Sequence, residues 1–194
     1  MKNIVVFASG SGTNFQSIID AVNAGNITAN IAGLITDRNH IGALERAENH
    51  GIPARVLAPN KLPDDKKFAE ELIDQLTSWE TDLIVLAGYL KKIPAPVIRK
   101  FENRILNIHP SLLPKFGGKG FYGMNVHRAV INSKDHQSGC SVHIVTGKFD
   151  EGPVIARSVV KVKENDTPEQ LAKKILKEEH WLYPAAIEKY LQTL

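Results

Sequence analysis

Short β-branched apolar runs alternate with amphipathic stretches along almost the whole chain. That rhythm constrains the fold more than any single motif does. Ile4–Ala8, Ile31–Thr36, Ala54–Leu57, Leu83–Ala87 and Ile105–Ile108 read as strands, and Asn14–Ala24, Ala43–Asn49, Asp65–Trp79 and Ala95–Phe101 between them read as helices. Strands that are short, apolar throughout and separated by helices belong to a parallel sheet covered on both faces. The later runs Cys140–Val145 and Val154–Val162 follow a helix at Asn125–Asn132 and are joined by a Gly147…Gly152-Pro153 connection. A parallel crossover needs about a dozen residues, so this connection predicts an antiparallel excursion. The expected fold is α/β: a three-layer, doubly wound, mostly parallel sheet of about seven strands, antiparallel near the C-terminus. A last helix opens at Pro168 behind Asp166 or Thr167 as N-cap, and Pro184 should end or kink it near Tyr183.

A chain of 194 residues suffices for one such domain, read here as 1–194. The net charge of +3 comes without a dense Lys/Arg block, so the expected partners exclude nucleic acid. No run is long and apolar enough for a signal peptide or a bilayer span, and no membrane partner is expected. The single cysteine rules out an internal disulfide framework and fits a reducing, cytoplasmic setting. Cys140 starts a strand and reads as a small buried hydrophobe. No histidine has zinc-site spacing, so no metal is expected.

Ser9-Gly10-Ser11-Gly12-Thr13-Asn14 follows the first strand and opens the first helix. Glycines let an anion approach the backbone, and free N–H groups at a helix start favour phosphate. The dinucleotide fingerprint G-x-G-x-x-G is broken by Phe15, which favours one phosphate over a pyrophosphate, although Asp37 stands where a ribose-binding acid would. The plainer reading is a tight strand-to-helix turn. Ser11, Thr13 and Asn14 add donors that favour the ligand.

Asn107 and His109 are two residues apart in a strand that Pro110 stops, so both side chains face the same way at its C-terminal edge. That edge is where open α/β sheets bind ligands. Asp150 lies in the turn joining the last two strands, where a carboxylate most often serves turn chemistry. If that turn folds back, Asp150 would hold His109 and raise its pKa. His40, His50 and His136 read as exposed, His127 as part of a surface helix, His143 as a packed strand residue, and Lys173-Lys174…Lys177 as a solvated helix face.

These motifs carry a resemblance. The opening Ile4–Asn14, Leu86-Ala87-Gly88-Tyr89, Leu106–Pro114, Gly139–His143, Asp150–Ile155 and Glu179-His180…Tyr183-Pro184 together resemble the folate-dependent phosphoribosylglycinamide formyltransferase family. The asparagine–histidine–aspartate set marks the wider formyltetrahydrofolate hydrolase and transferase superfamily. The resemblance implies formyl transfer from 10-formyltetrahydrofolate to 5-phosphoribosylglycinamide in purine biosynthesis, without a metal, by a monomer or homodimer. It implies Asn107, His109 and Asp150 as the catalytic set, and Gly12, Thr13, Asn14 and Glu179 as ribonucleotide contacts. Leu90, Lys91, Lys92, Ile93, Asn107, Thr146, Gly147, Lys148, Phe149 and Asp150 would line the folate pocket. On this division residues 1–100 serve the phosphate and 101–194 catalysis and folate. The glycine-rich loop Lys115–Met124 is longer than in familiar relatives and is a candidate lid, and Lys91 stands where arginine is frequent. The competing readings are formyltetrahydrofolate hydrolysis and a non-catalytic nucleotide-binding module.

Overall fold

The computed structural model describes residues 1–194, the side chain of Lys61 excepted. Seven strands form one sheet: β1 (Lys2–Ala8), β2 (Ala29–Thr36), β3 (Ala54–Val56), β4 (Leu83–Leu86), β5 (Ile105–His109), β6 (Gln137–Ile144) and β7 (Val154–Lys161), in the order β3-β2-β1-β4-β5-β6-β7. β1 pairs in parallel with β2 and β4, and β2–β3 and β4–β5 are parallel too. β6 is antiparallel to β5, and β7 to β6, which is the expected excursion.

The alternation in β1 makes the three layers. Ile4, Val6 and Ala8 face a core with α1 (Thr13–Asn23), α5 (Met124–Ser133) and α6 (Pro168–Leu191). Val5 and Phe7 face a second core with α3 (Asp65–Ser78) and α4 (Ala95–Lys100). Side chains such as Phe7, Phe15 and Leu72 are fully buried, each stabilising the fold by about 1.5–3 kcal/mol. α2 (Gly42–Asn49) packs its Ala43 and Ala47 into the first core.

α6 begins as the sequence suggests: Thr167 caps it, Gln170 reaches back, and both bonds of a capping box form, at 3.2 and 2.9 Å. It does not end near Tyr183. A proline inside a helix costs about 3 kcal/mol or more, through a lost N–H bond and a ring clash. Here Ile187 and Leu191 beyond Pro184 are buried, and the Tyr183 hydroxyl donates to the Leu86 and Leu106 carbonyls at 3.0 and 3.1 Å. These anchors on both sides of Pro184 offset its cost and hold the helix against β4 and β5.

From β1 the chain moves outward to β2 and β3, then returns past β1 to β4. The strand order therefore reverses between β1 and β4, which opens a crevice at their C-terminal ends.

Candidate active site

A cleft of about 890 Å³ occupies that crevice. It is lined by Asn14 and Glu179, by Leu90, Lys91, Lys92 and Ile93 after β4, by Asn107 and His109 of β5, and by Thr146, Gly147, Lys148, Phe149 and Asp150 between β6 and β7. Thus nearly all the expected site residues share one cavity. Gly12 and Thr13 do not line it; they form the start of α1 just ahead of Asn14. Asn14 and Glu179, from opposite halves of the sequence, are bonded to each other across the site.

Asn107 and His109 face the same side of β5, and Asp150 does fold back onto them. His109 Nδ1 lies 3.6 Å from Asp150 Oδ2. His109 Nε2 contacts the Phe116 carbonyl at 2.8 Å. A carbonyl only accepts, so the neutral ring carries its proton on Nε2 and leaves the Nδ1 lone pair facing Asp150. Burial pushes the His109 pKa below its ordinary value, although Asp150 and the Phe116 carbonyl pull it up. Asp150 thus raises this pKa as expected, but the net shift is downward: desolvation of a ring that is 4% exposed outweighs one carboxylate at 3.6 Å. In turn burial tends to raise the Asp150 carboxyl, but the neighbouring His143 and His109 rings and the Gly118 N–H at 2.9 Å hold it below the usual range.

His143 is buried, as a packed strand residue would be, but it also belongs to the site. The register places it directly opposite Asn107. Its Nδ1 donates to the Ile144 carbonyl at 3.1 Å, so Nε2 is free to accept from Asn107 Nδ2 at 3.0 Å. The same Nε2 stands 3.5 Å from Asp150 Oδ1. One Asn107 N–H is thereby tethered, and the other remains for a ligand. Sequence reasoning missed this because the register between β5 and β6 is a long-range fact. The only signal was that both residues lie in strands with short polar ends.

His127 is a second omission. It is read as a surface residue, yet α5 turns it inward, where it is 6% exposed, lines the cleft and keeps Nδ1 without a hydrogen-bond partner. Burial, with a contribution from His109, pushes its pKa down to about 4. Asn14 Oδ1 is likewise buried without a partner beside the cleft. Orphaned buried polar atoms are uncommon, and at a cleft wall they mark places a ligand can bond.

Glu179, 7% exposed, accepts from Asn14 Nδ2 at 2.7 Å. Burial pushes its carboxyl up to about 7 against that bond. Asp37 is not available to a ribose: its side chain is 2% exposed and pairs with Arg38 at 3.1 Å and Lys91 at 3.9 Å. Burial would raise it, but Ser9 and Arg38 hold it below its ordinary value. Ser9 Oγ also accepts from the Leu90 N–H at 3.0 Å. At the mouth Leu90, Tyr122 and Phe149 expose large apolar surfaces, and the Lys92 ammonium sits 5.8 Å from the Phe149 ring centre. Loop residues Gly118–Gly123 form one wall, so the loop Lys115–Met124 reaches the cleft twice, through this wall and through Phe116 on His109. Cys140 has its thiol pushed up to about 12 by burial and is no nucleophile. Among the described residues no group of three or more His, Cys, Asp or Glu converges as metal ligands would. No helix among them is long and apolar enough to cross a membrane.

Fold and cleft together define a doubly wound α/β protein with its ligand crevice at the switch point. The profile of the formyl transferase family matches residues 2–187, and the chain belongs to that family. It is 46% identical over 188 residues to the chloroplastic phosphoribosylglycinamide formyltransferase of Vigna unguiculata, covering 96% of this chain. The chain spans 60% of that relative's own length. It is 36% identical to the phosphoribosylglycinamide formyltransferase of Bacillus subtilis (strain 168), with 98% of this chain and 95% of that one aligned. The crystal structure of glycinamide ribonucleotide transformylase 1 from Symbiobacterium toebii superposes with a TM-score of 0.93 at 41% identity, over 100% of this chain and 89% of that one.

Proposed function

We propose that this chain transfers the formyl group of 10-formyltetrahydrofolate to the amine of 5-phosphoribosylglycinamide, giving 5-phosphoribosyl-N-formylglycinamide and tetrahydrofolate. The observation that carries the reading is one cleft in which a paired Asn14–Glu179 wall and two apolar-rimmed loops meet the Asn107–His109–Asp150–His143 cluster. The names of the relatives agree with it. The start of α1 would take the phosphate, with Gly12, Thr13 and Asn14 supplying N–H groups. Glu179 and the unpartnered Asn14 Oδ1 would hold the rest of the ribonucleotide. Leu90 to Ile93 and Thr146 to Asp150 would hold the folate, offering apolar walls and backbone polar groups to a flat heterocycle.

The chemistry follows from the protonation states. The attacking amine must be neutral, and its lone pair forms the new bond to the formyl carbon. Negative charge grows on the formyl oxygen, where the untethered Asn107 N–H can donate; one such donor is worth roughly 2.7–4 kcal/mol in comparable sites. The amine then carries a surplus proton. Neutral His109, with its Nδ1 lone pair free, takes that proton and delivers it to the nitrogen that leaves as the carbon–N10 bond breaks. Asp150 at 3.6 Å stabilises the imidazolium while it exists. On this reading Asp150 acts on the transient charge rather than keeping a resting one.

All these residues come from one chain, so a monomer and a homodimer serve equally. The buried free thiol of Cys140 suits a reducing compartment, and we assign the cytoplasm. The deciding assay supplies 10-formyltetrahydrofolate with and without the ribonucleotide. Formyl transfer only when the ribonucleotide is present supports the reading. Formate release in its absence would replace it with hydrolysis.

A further inference from the structure

We infer that Arg46, which no motif singles out, is the positioning residue that turns the peptide planes of the Ser9–Asn14 loop to receive a phosphate. The inference rests on the phosphate role proposed for that loop. Arg46 lies on α2, and its Nε donates to the Ser11 carbonyl at 2.9 Å. Three residues earlier on the same helix, the Ala43 N–H donates to the Gly10 carbonyl at 3.1 Å. Two consecutive carbonyls of the loop are therefore drawn towards α2. Both peptides are trans, because the one cis bond is Leu113–Pro114. In a trans peptide the C=O of one residue and the N–H of the next point in opposite directions. The N–H groups of Ser11 and Gly12 must then point away from α2.

Those two donors lead directly into α1, whose first N–H groups have no intrahelical partners. Gly12 sits in the left-handed region at φ 71°. A run of N–H groups through such a turn forms a concave anion nest. The geometry is held from both sides. A Cβ on Gly12 would come 2.8 Å from Ala43 Cα, and one on Gly42 would come 2.7 Å from the Ser11 carbonyl oxygen, so α2 is seated directly on the loop. Arg46 is fixed as well: Nη1 donates to Gln16 Oε1 on α1 at 2.8 Å, which makes the guanidinium a brace between the two helices. Its planar fork can serve both acceptors at once, which an ammonium cannot do with the same geometry. Without it the Ser11 carbonyl is free to swing, and the peptide can present oxygen where the phosphate needs an N–H.

The test uses the full chain with Arg46→Ala, Arg46→Lys and Gln16→Ala, assayed for formyl transfer to 5-phosphoribosylglycinamide and to the glycinamide riboside that lacks the phosphate. Arg46→Ala should raise KM for the ribonucleotide roughly 10- to 100-fold, the range of one hydrogen bond to a charged group. Turnover at saturation, KM for the folate and kcat/KM for the riboside should each stay within about threefold. Arg46→Lys should recover only part of the loss, and Gln16→Ala, which removes the brace and leaves the charge, should raise the same KM by about three- to tenfold. If Arg46→Ala does not fold, the other two variants carry the same test. An unchanged ribonucleotide KM, or an equal loss for ribonucleotide and riboside, overturns the positioning role alone. A wild-type protein that does not distinguish ribonucleotide from riboside overturns the phosphate reading, and the role of Arg46 with it.

Discussion

Glu179→Gln should stabilise the protein at alkaline pH while weakening its binding of the ribonucleotide. The carboxyl is 7% exposed, receives one bond from Asn14 and has its pKa pushed from 4.5 to about 7. A raised acid is still protonated in the folded state when it has already ionised in the unfolded chain. Between pH 4.5 and 7 the folded state therefore holds the extra proton, and stability from this group falls as pH rises through that window. The shift is about 2.5 units, which at about 1.36 kcal/mol per unit gives about 3 kcal/mol lost by pH 8. Glutamine does not titrate. The stability difference between variant and wild type should grow by about 3 kcal/mol from pH 4.5 to pH 8, or by roughly 6–12 °C in Tm for a domain of this size. The new amide nitrogen needs a partner beside Asn14 Nδ2, and that contact cost is nearly constant with pH. The change between two pH values isolates the ionisation, because histidines that titrate alike in both proteins cancel in the difference. Thermal unfolding followed by circular dichroism at pH 4.5, 6 and 8 measures it. A Tm difference that is the same at all three would refute the reasoning.

Other perturbations separate the roles inside the cluster. Asp150 lies at φ 54°, a conformation that asparagine tolerates, and Asp150→Asn keeps an acceptor for the Gly118 N–H while removing the charge. At 3.6 Å and an effective dielectric near 20 that charge is worth at most about 4–5 kcal/mol to a His109 imidazolium. We expect kcat at neutral pH to fall on the order of 10²–10³-fold with both KM values within about threefold, and a kcat near wild type would contradict the role. His143→Leu removes the acceptor that tethers Asn107, so kcat should fall at least about tenfold while phosphate-dependent binding persists; steady-state kinetics decide it. His127 is a base with its pKa lowered from 6.5 to about 4, so the unfolded chain takes up the proton first and stability is lost as pH drops across that window. His127→Leu should remove up to about 3 kcal/mol of this acid sensitivity, visible as a smaller Tm gap between pH 7.5 and pH 4.5. An unchanged gap would show that His127 titrates normally.

What the sequence reveals about this molecule divides along the range of the interactions involved. The period-two pattern of Ile4–Ala8 and the pairing of Asn107 with His109 on one face are local facts, and both are present in the fold. The short Gly147…Gly152 connection correctly implied an antiparallel β7, because loop length limits topology directly. Pro184 does not end the helix, because a local helix-breaking rule is overridden by tertiary burial of Tyr183, Ile187 and Leu191. His143 and His127 could not be placed, since one depends on register and the other on which face of α5 meets the cleft. The net direction of the His109 pKa is hidden for a related reason. Its charged neighbour is inferable from a motif, but the depth of burial that outweighs it is a property of the whole fold.

Asp37 shows how the two ends of the cleft are joined. As a ribose-binding acid it would need an exposed carboxylate; instead it pairs with Lys91, in the segment after β4, and its carboxyl is held down in part by Ser9, in the loop after β1. Ser9 in turn accepts the Leu90 N–H, so the segment after β4 and the loop after β1 share one buried polar network. Those two strands are neighbours across the switch point. A crevice between diverging crossovers has no covalent link across its floor beyond the sheet itself, and side-chain bonds must set the spacing of its walls. Ser9 and Asp37 do this on the sheet side, the Tyr183 hydroxyl does it beneath β4 and β5, and Asn14–Glu179 does it where α1 meets α6. Each tie keeps a polar group in a nearly dry place, which is costly unless the group is bonded. Several of the buried polar groups of this protein therefore lie where they fix the distance between the loop after β1 and the titratable pair on the adjoining strands, and on the proposed function that distance sets how two bound substrates meet.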